Sequence, residues 1–144
     1  MDEKTTKKLA DILSQIDNEL EMQKYMKHQK VTDSYKTFVE YYKSLTSVKK
    51  LSDSELINLS GVEKSYYYQI MKGTRKPSRD KVLRLCIGAG LTSEETTRAL
   101  ELNECAILYP MNKRDIILSV AINQHASVMD TNLLLDKYGE NPLS

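Results

Sequence analysis

The residues best equipped for chemistry lie between Glu63 and Arg79. Wound as a helix at about 100° per residue, Lys64, Ser65, Tyr68, Gln69 and Lys72 fall on one stripe, with Tyr67, Ile70 and Met71 on the opposite one. The apolar stripe suits a core. The polar, basic stripe offers donors and acceptors of the kind that read base edges in a DNA major groove, which is wide enough to admit an α-helix. Lys72, Arg75, Lys76 and Arg79 follow, where the phosphates of a bound duplex would run. The run Tyr66, Tyr67, Tyr68 cannot form one stacking platform, because consecutive helical residues point in different directions; Tyr67 belongs to the core and Tyr68 to the outward face.

Other chemistries find less support. His28 and His125 have no second ligand at metal-binding spacing, so packing or surface roles are expected and no metal or cofactor is predicted. Cys86 and Cys105 lack C-x-x-C spacing and read as reduced, structural thiols. The chain holds no phosphate-cradling glycine loop, no H-E-x-x-H and no Ser/His/Asp set in a recognisable context, so an enzyme is not expected. Net charge is only +1, yet Lys64, Lys72, Arg75, Lys76, Arg79, Lys81 and Arg84 stand against Glu63 and Asp80 between Val62 and Arg84. The remainder is net acidic, so the positive charge is localised. No apolar stretch approaches the roughly 20 residues that cross a bilayer, and the start lacks the pattern of a secretory signal. A cytoplasmic protein with no membrane partner is expected.

The elements that must hold the candidate face are helical. Five Gly, three Pro and no alternating apolar pattern predict an all-α fold without strands. Residues 1–30 read as an N-terminal helical arm, one helix over 4 to about 29, with Leu9, Ile12, Leu13, Ile16 and Leu20 along one side. Residues 31–103 read as the main domain. Its first helix is capped by Thr32 or Asp33 and lines Tyr35, Phe38, Val39 and Tyr42 along the core. Ser52 and Glu55 form a capping box with Leu51 and Leu56 as its staple, and Gly61 turns the chain so that Val62 enters the core and another helix starts near Glu63. Ser78 caps a helix to about Ala89 that buries Val82, Leu85, Cys86 and Ala89; Thr92 and Glu95 box another, with Thr96, Ala99, Leu100 and Leu102 near the core. Residues 104–144 read as a C-terminal helical hairpin. Asn112 caps a helix carrying Ile116, Ile117, Val120 and Ala121, and Ser127 caps one carrying Met129, Leu133, Leu134 and Tyr138; apolar faces not consumed by the core would form a dimer or partner interface.

The pattern Leu51-Ser52-x-x-Glu55-Leu56-x-x-Leu59-Ser60-Gly61-Val62-x-x-Ser65-Tyr66-x-x-Gln69-Ile70-x-x-Gly73-x-x-x-Pro77-Ser78 resembles the Xre, or lambda-repressor-like, helix-turn-helix family. The likeness covers Tyr35 to Leu102, about half the chain. It implies a five-helix domain whose third helix enters the major groove of double-stranded DNA, usually as a homodimer on a palindromic operator. It implies base contacts from Glu63, Lys64, Ser65, Tyr68 and Gln69, and phosphate contacts from Ser52, Lys72, Arg75 and Lys76. Two positions depart from the family pattern: Asp53 stands where Gln is frequent, and a carboxylate there repels a phosphate; Lys72-Gly73 replaces the frequent Asn-Gly. With Arg79 included, four phosphates per subunit predict a slope of log K against log salt near about −7 for a dimer. The segment from Leu108 onward resembles the helical tail of such regulators.

These residues support a DNA-binding transcriptional regulator. The alternative is a protein-interaction module on the same scaffold, adaptor or antitoxin-like, binding a protein partner through the basic face or the C-terminal hairpin.

Overall fold

Side-chain caps decide where most of the helices begin. In the computed structural model, which describes residues 3–28 and 37–144, ten α-helices and no strand occur among the described residues. The chain divides into two compact units, Met1–Tyr35 and Lys36–Ser144.

In the first unit, α1 (Glu3–Leu13) and α2 (Glu19–His28) replace the single arm helix expected from the periodicity. Two polar side chains cause the break. Ser14 Oγ donates to the Asp11 carbonyl at 2.6 Å, while the Gln15 and Ile16 amides reach back only three residues, to Ile12 and Leu13, and tighten the last turn. Asn18 Oδ1 then accepts the Glu21 amide at 2.8 Å and starts α2. The expected stripe remains largely open: Ile12, Leu13 and Leu20 are exposed, Leu9 and Ile16 half-buried.

The second unit begins with α3 (Phe38–Ser44), capped by Thr37, whose Oγ1 accepts the Glu40 amide. The expected caps Thr32 and Asp33, with Tyr35, lie outside the described residues. Phe38 and Tyr42 are buried with ring centroids 5.3 Å apart, and the Tyr42 hydroxyl donates to the Leu85 carbonyl at 2.8 Å. A short α4 (Thr46–Lys49), which the pattern did not signal, leads to α5 (Asp53–Ser60). Ser52 and Glu55 form the expected capping box, each side chain accepting the other's amide at 3.1 Å. Gly61 (φ +68°) ends α5 and Val62 is buried. After α6 (Lys64–Met71) come α7 (Arg79–Gly88), capped by Ser78, and α8 (Ser93–Leu102), opened by the Thr92–Glu95 box. α7 is the central element, with Val82, Leu83, Leu85, Cys86 and Ile87 buried, and it packs on α5, α8 and the tail. Gly88 permits its approach to α5: a Cβ there would sit 2.8 Å from the Ser60 backbone nitrogen.

Residues 104–144 are part of this same unit. α9 (Lys113–Asn123) and α10 (Val128–Lys137) start at the expected caps Asn112 and Ser127, and pack on one another and on α8 and α7 respectively. The structure divides their apolar residues between core and surface. α9 buries Asp115, Leu118, Ala121 and Ile122, leaving Ile116 and Val120 exposed; α10 buries Val128, Thr131 and Leu135, leaving Met129, Leu133 and Tyr138 exposed. Apolar residues run round much of both helices, so periodicity does not select a side; on α9 the Arg79–Asp115 and Asp80–Arg114 pairs with α7 accompany the side that is buried. No described helix is long and apolar enough to cross a membrane.

Candidate nucleic-acid interface

Glu63 fixes the start of α6. Its two carboxylate oxygens accept the Ser65 and Tyr66 amides, each at 3.0 Å, and these bonds hold its carboxyl below the usual carboxylate range. A residue expected to read a base is thus engaged in capping the helix. Behind the helix, Tyr67 and Ile70 are buried, and the Tyr67 hydroxyl donates to Asp53 Oδ1 at 2.6 Å. Burial, followed by the Asp53 carboxylate, raises the Tyr67 hydroxyl pKa, so the phenol stays a donor. Asp53 therefore has an internal partner on the core side of the helix, and it keeps its negative charge.

Lys64, Ser65, Gln69 and Lys72 are exposed along the opposite side of α6, with Tyr68 half-buried and its ring edge-on to Tyr67 at 5.3 Å. The helix ends in Gly73 (φ +78°), after which Thr74 folds back, its amide and hydroxyl both donating to the Gln69 carbonyl. This return brings Arg75 against the edge of the helix marked by Tyr66 and Gln69. Its guanidinium lies 4.3 Å from the Tyr66 ring centroid, and Nη1 donates to Gln69 Oε1 at 3.3 Å. Lys81 Nζ is 5.5 Å from the same ring, and Lys43 Nζ, from α3, donates to the Met71 carbonyl at 3.2 Å. Lys76 is exposed and forms a loose pair with Glu104 at 3.5 Å. Ser52, at the cap of α5, is exposed and its hydroxyl retains a proton to donate.

No protein-family model, curated protein or solved structure matches the chain.

Arg79 departs from the phosphate-contacting role assigned to it. Its Nη1 and Nη2 pair with the two Asp115 oxygens at 3.1 and 2.9 Å, while Nε and Nη2 donate to the Ala106 and Ile107 carbonyls. The planar fork of Arg matches a carboxylate, and this match holds the side chain on the tail instead of turning it outward. The neighbouring pair runs the other way: Arg114 forks onto Asp80 at 3.1 and 3.0 Å and also donates to the Asn141 and Pro142 carbonyls. Arg84 is likewise committed, to the carbonyls of Ser60, Leu143 and Ser144.

Sequence reasoning missed Lys43 and the role of the Tyr66 ring as a seat for Arg75 and Lys81. Lys43 comes from a helix far along the chain and carried no local signal. For Tyr66, the signal available was an aromatic residue in the first turn of a helix followed by a glycine turn and a cation. Among the described residues no group of three or more His, Cys, Asp or Glu could hold a metal ion. Both cysteines are unpaired; Cys86 is buried, and that burial pushes its thiol pKa up. The assembled side chains are donors suited to an anionic partner with exposed acceptor edges.

Proposed function

We propose that the chain is a sequence-specific DNA-binding transcriptional regulator of the lambda-repressor-like, Xre type, acting as a homodimer in the cytoplasm. In this reading α5 and α6 are the helix-turn-helix pair, with α3, α7 and α8 completing a five-helix domain, and α6 enters the major groove. The observation that carries the reading is the outer face of α6. Lys64, Ser65, Tyr68 and Gln69 line it, Lys72, Arg75 and Lys76 flank it, and the carboxylates of Glu63 and Asp53 accept internal hydrogen bonds.

Lys64, Ser65, Tyr68 and Gln69 supply the base contacts. Ser52, Lys72, Arg75 and Lys76 face phosphates, and Glu63 sets the helix start. With Arg79 withdrawn, three cations per subunit replace four, so the salt slope for a dimer falls to about −5. The test is selection of bound duplexes from a random pool at low and physiological salt, with the wild type beside Lys72→Ala/Lys76→Ala. The expected result is paired half-sites about one helical turn apart, bound with a slope near −5 that drops toward about −2 in the variant. Failure to enrich any sequence, with weak binding indifferent to the variant, sinks the reading.

A second reading has one observation in its favour. Ile116, Val120, Met129 and Leu133 lie exposed on α9 and α10, where a solvated surface would be polar. A protein partner recovered at one-to-one stoichiometry, without salt-sensitive DNA binding, would make this the function.

A further inference from the structure

The contact between Arg75 and Gln69 has a directional consequence. A guanidinium carries donors and no acceptor, so the Gln69 atom that meets Arg75 Nη1 at 3.3 Å has to be the amide oxygen. The same guanidinium is held from its other side by the Tyr66 ring, 4.3 Å from the centroid, and its loop is fixed by the two bonds from Thr74 to the Gln69 backbone carbonyl. Arg75 is thus braced by one neighbour while it orients the next. The Gln69 oxygen is drawn toward the loop, and the amide nitrogen with its two protons is turned away from Arg75.

An unconstrained glutamine reads adenine through both ends of its amide, accepting from N6 and donating to N7. The oxygen keeps a second lone pair, but Arg75 draws it toward the loop, so the end of the amide turned away from Arg75 is the nitrogen with its two protons; guanine is the base whose major-groove edge presents two adjacent acceptors, O6 and N7. Resting on the DNA-binding reading above, we propose that Arg75 is a specificity-determining residue that orients the Gln69 amide to donate, and so to favour guanine over adenine. Arg75 thereby does more than neutralise a phosphate: it selects a base it does not touch.

The experiment compares duplexes selected from a random pool by the full chain and four variants. The wild type selects G at one position of each half-site, and Gln69→Ala flattens that position alone. Arg75→Met, which keeps length but removes the donor, shifts the same position toward A, changing the A-to-G ratio roughly fivefold or more. Lys76→Ala lowers affinity for every duplex without altering the base chosen. In the double variant Gln69→Lys/Arg75→Met the reader is donor-only without help, and selection of G returns. An unchanged base preference in Arg75→Met, or a preference that survives Gln69→Ala, overturns the inference while leaving DNA binding intact. Absence of any selected sequence with the wild type overturns both.

Discussion

Two arginine-bearing regions of the same unit have opposite fates. At the end of α6, Arg75 lies on the exposed surface, stacked on Tyr66 and bonded to Gln69. At the start of α7, four residues later, Arg79 is turned into the tail by Asp115, and the adjacent Asp80 is gripped by Arg114. The number of cations in a segment therefore does not give the charge that segment offers a partner. The deciding factor is whether a distant carboxylate reaches the cation first.

Removing Asp115 tests this contrast most severely. Asp115→Ala leaves Arg79 partly buried without its carboxylate and frees the Tyr109 amide that Asp115 also accepts; urea unfolding should register a loss of about 3 kcal/mol. Equal stability of variant and wild type would mean that the pair does not organise the tail. A smaller effect is expected at the reciprocal pair. Burial opposes ionisation of Asp80, but the Arg114 fork and the Ser144 amide and hydroxyl outweigh it and hold its pKa below the ordinary value. Because the folded-state pKa is depressed, this contribution is complete above the unfolded pKa of about 4 and is lost as pH falls through the folded value. Asp80→Asn should therefore cost about 2 kcal/mol at neutral pH and flatten the acid limb of stability; an acid limb as steep as that of the wild type would assign the pH dependence elsewhere. The smallest effect belongs to the other region. Lys72→Ala/Lys76→Ala, which weakens DNA binding in the proposed reading, should change unfolding free energy by no more than about 0.5 kcal/mol, since both side chains are exposed. A larger loss would show that the basic face is part of the scaffold.

What could be read from the sequence was local. Ser52 with Glu55, Thr92 with Glu95, Ser78, Asn112 and Ser127 each bond an amide three residues on, so neighbouring residue types suffice to place these starts. Asn18 carried the same sort of signal in the arm, but the apolar spacing from Leu9 to Leu20 concealed it. The buried sides of α9 and α10 were not legible, because Ile116, Ile117, Leu118, Val120 and Ile122 surround their helix, and Asp115 is drawn inward by a residue 36 positions away. The same long separation hid the fate of Arg79. At the candidate interface, Lys64, Ser65, Gln69 and Lys72 were placed outward and Tyr67 and Ile70 inward from periodicity alone. The capping by Glu63 and the bracing of Arg75 depend on turn geometry that periodicity does not encode.

Arg84 joins parts of the chain that would otherwise open separately. One guanidinium bonds the carbonyl of Ser60 beside the Gly61 turn and those of Leu143 and Ser144, while the Leu143 amide is held by Asn132 of α10. In hydrogen exchange, residues 143–144 should therefore open together with the turn and α7 instead of fraying on their own. Arg84→Met should then raise exchange at the Gly61 turn and at residues 143–144 together.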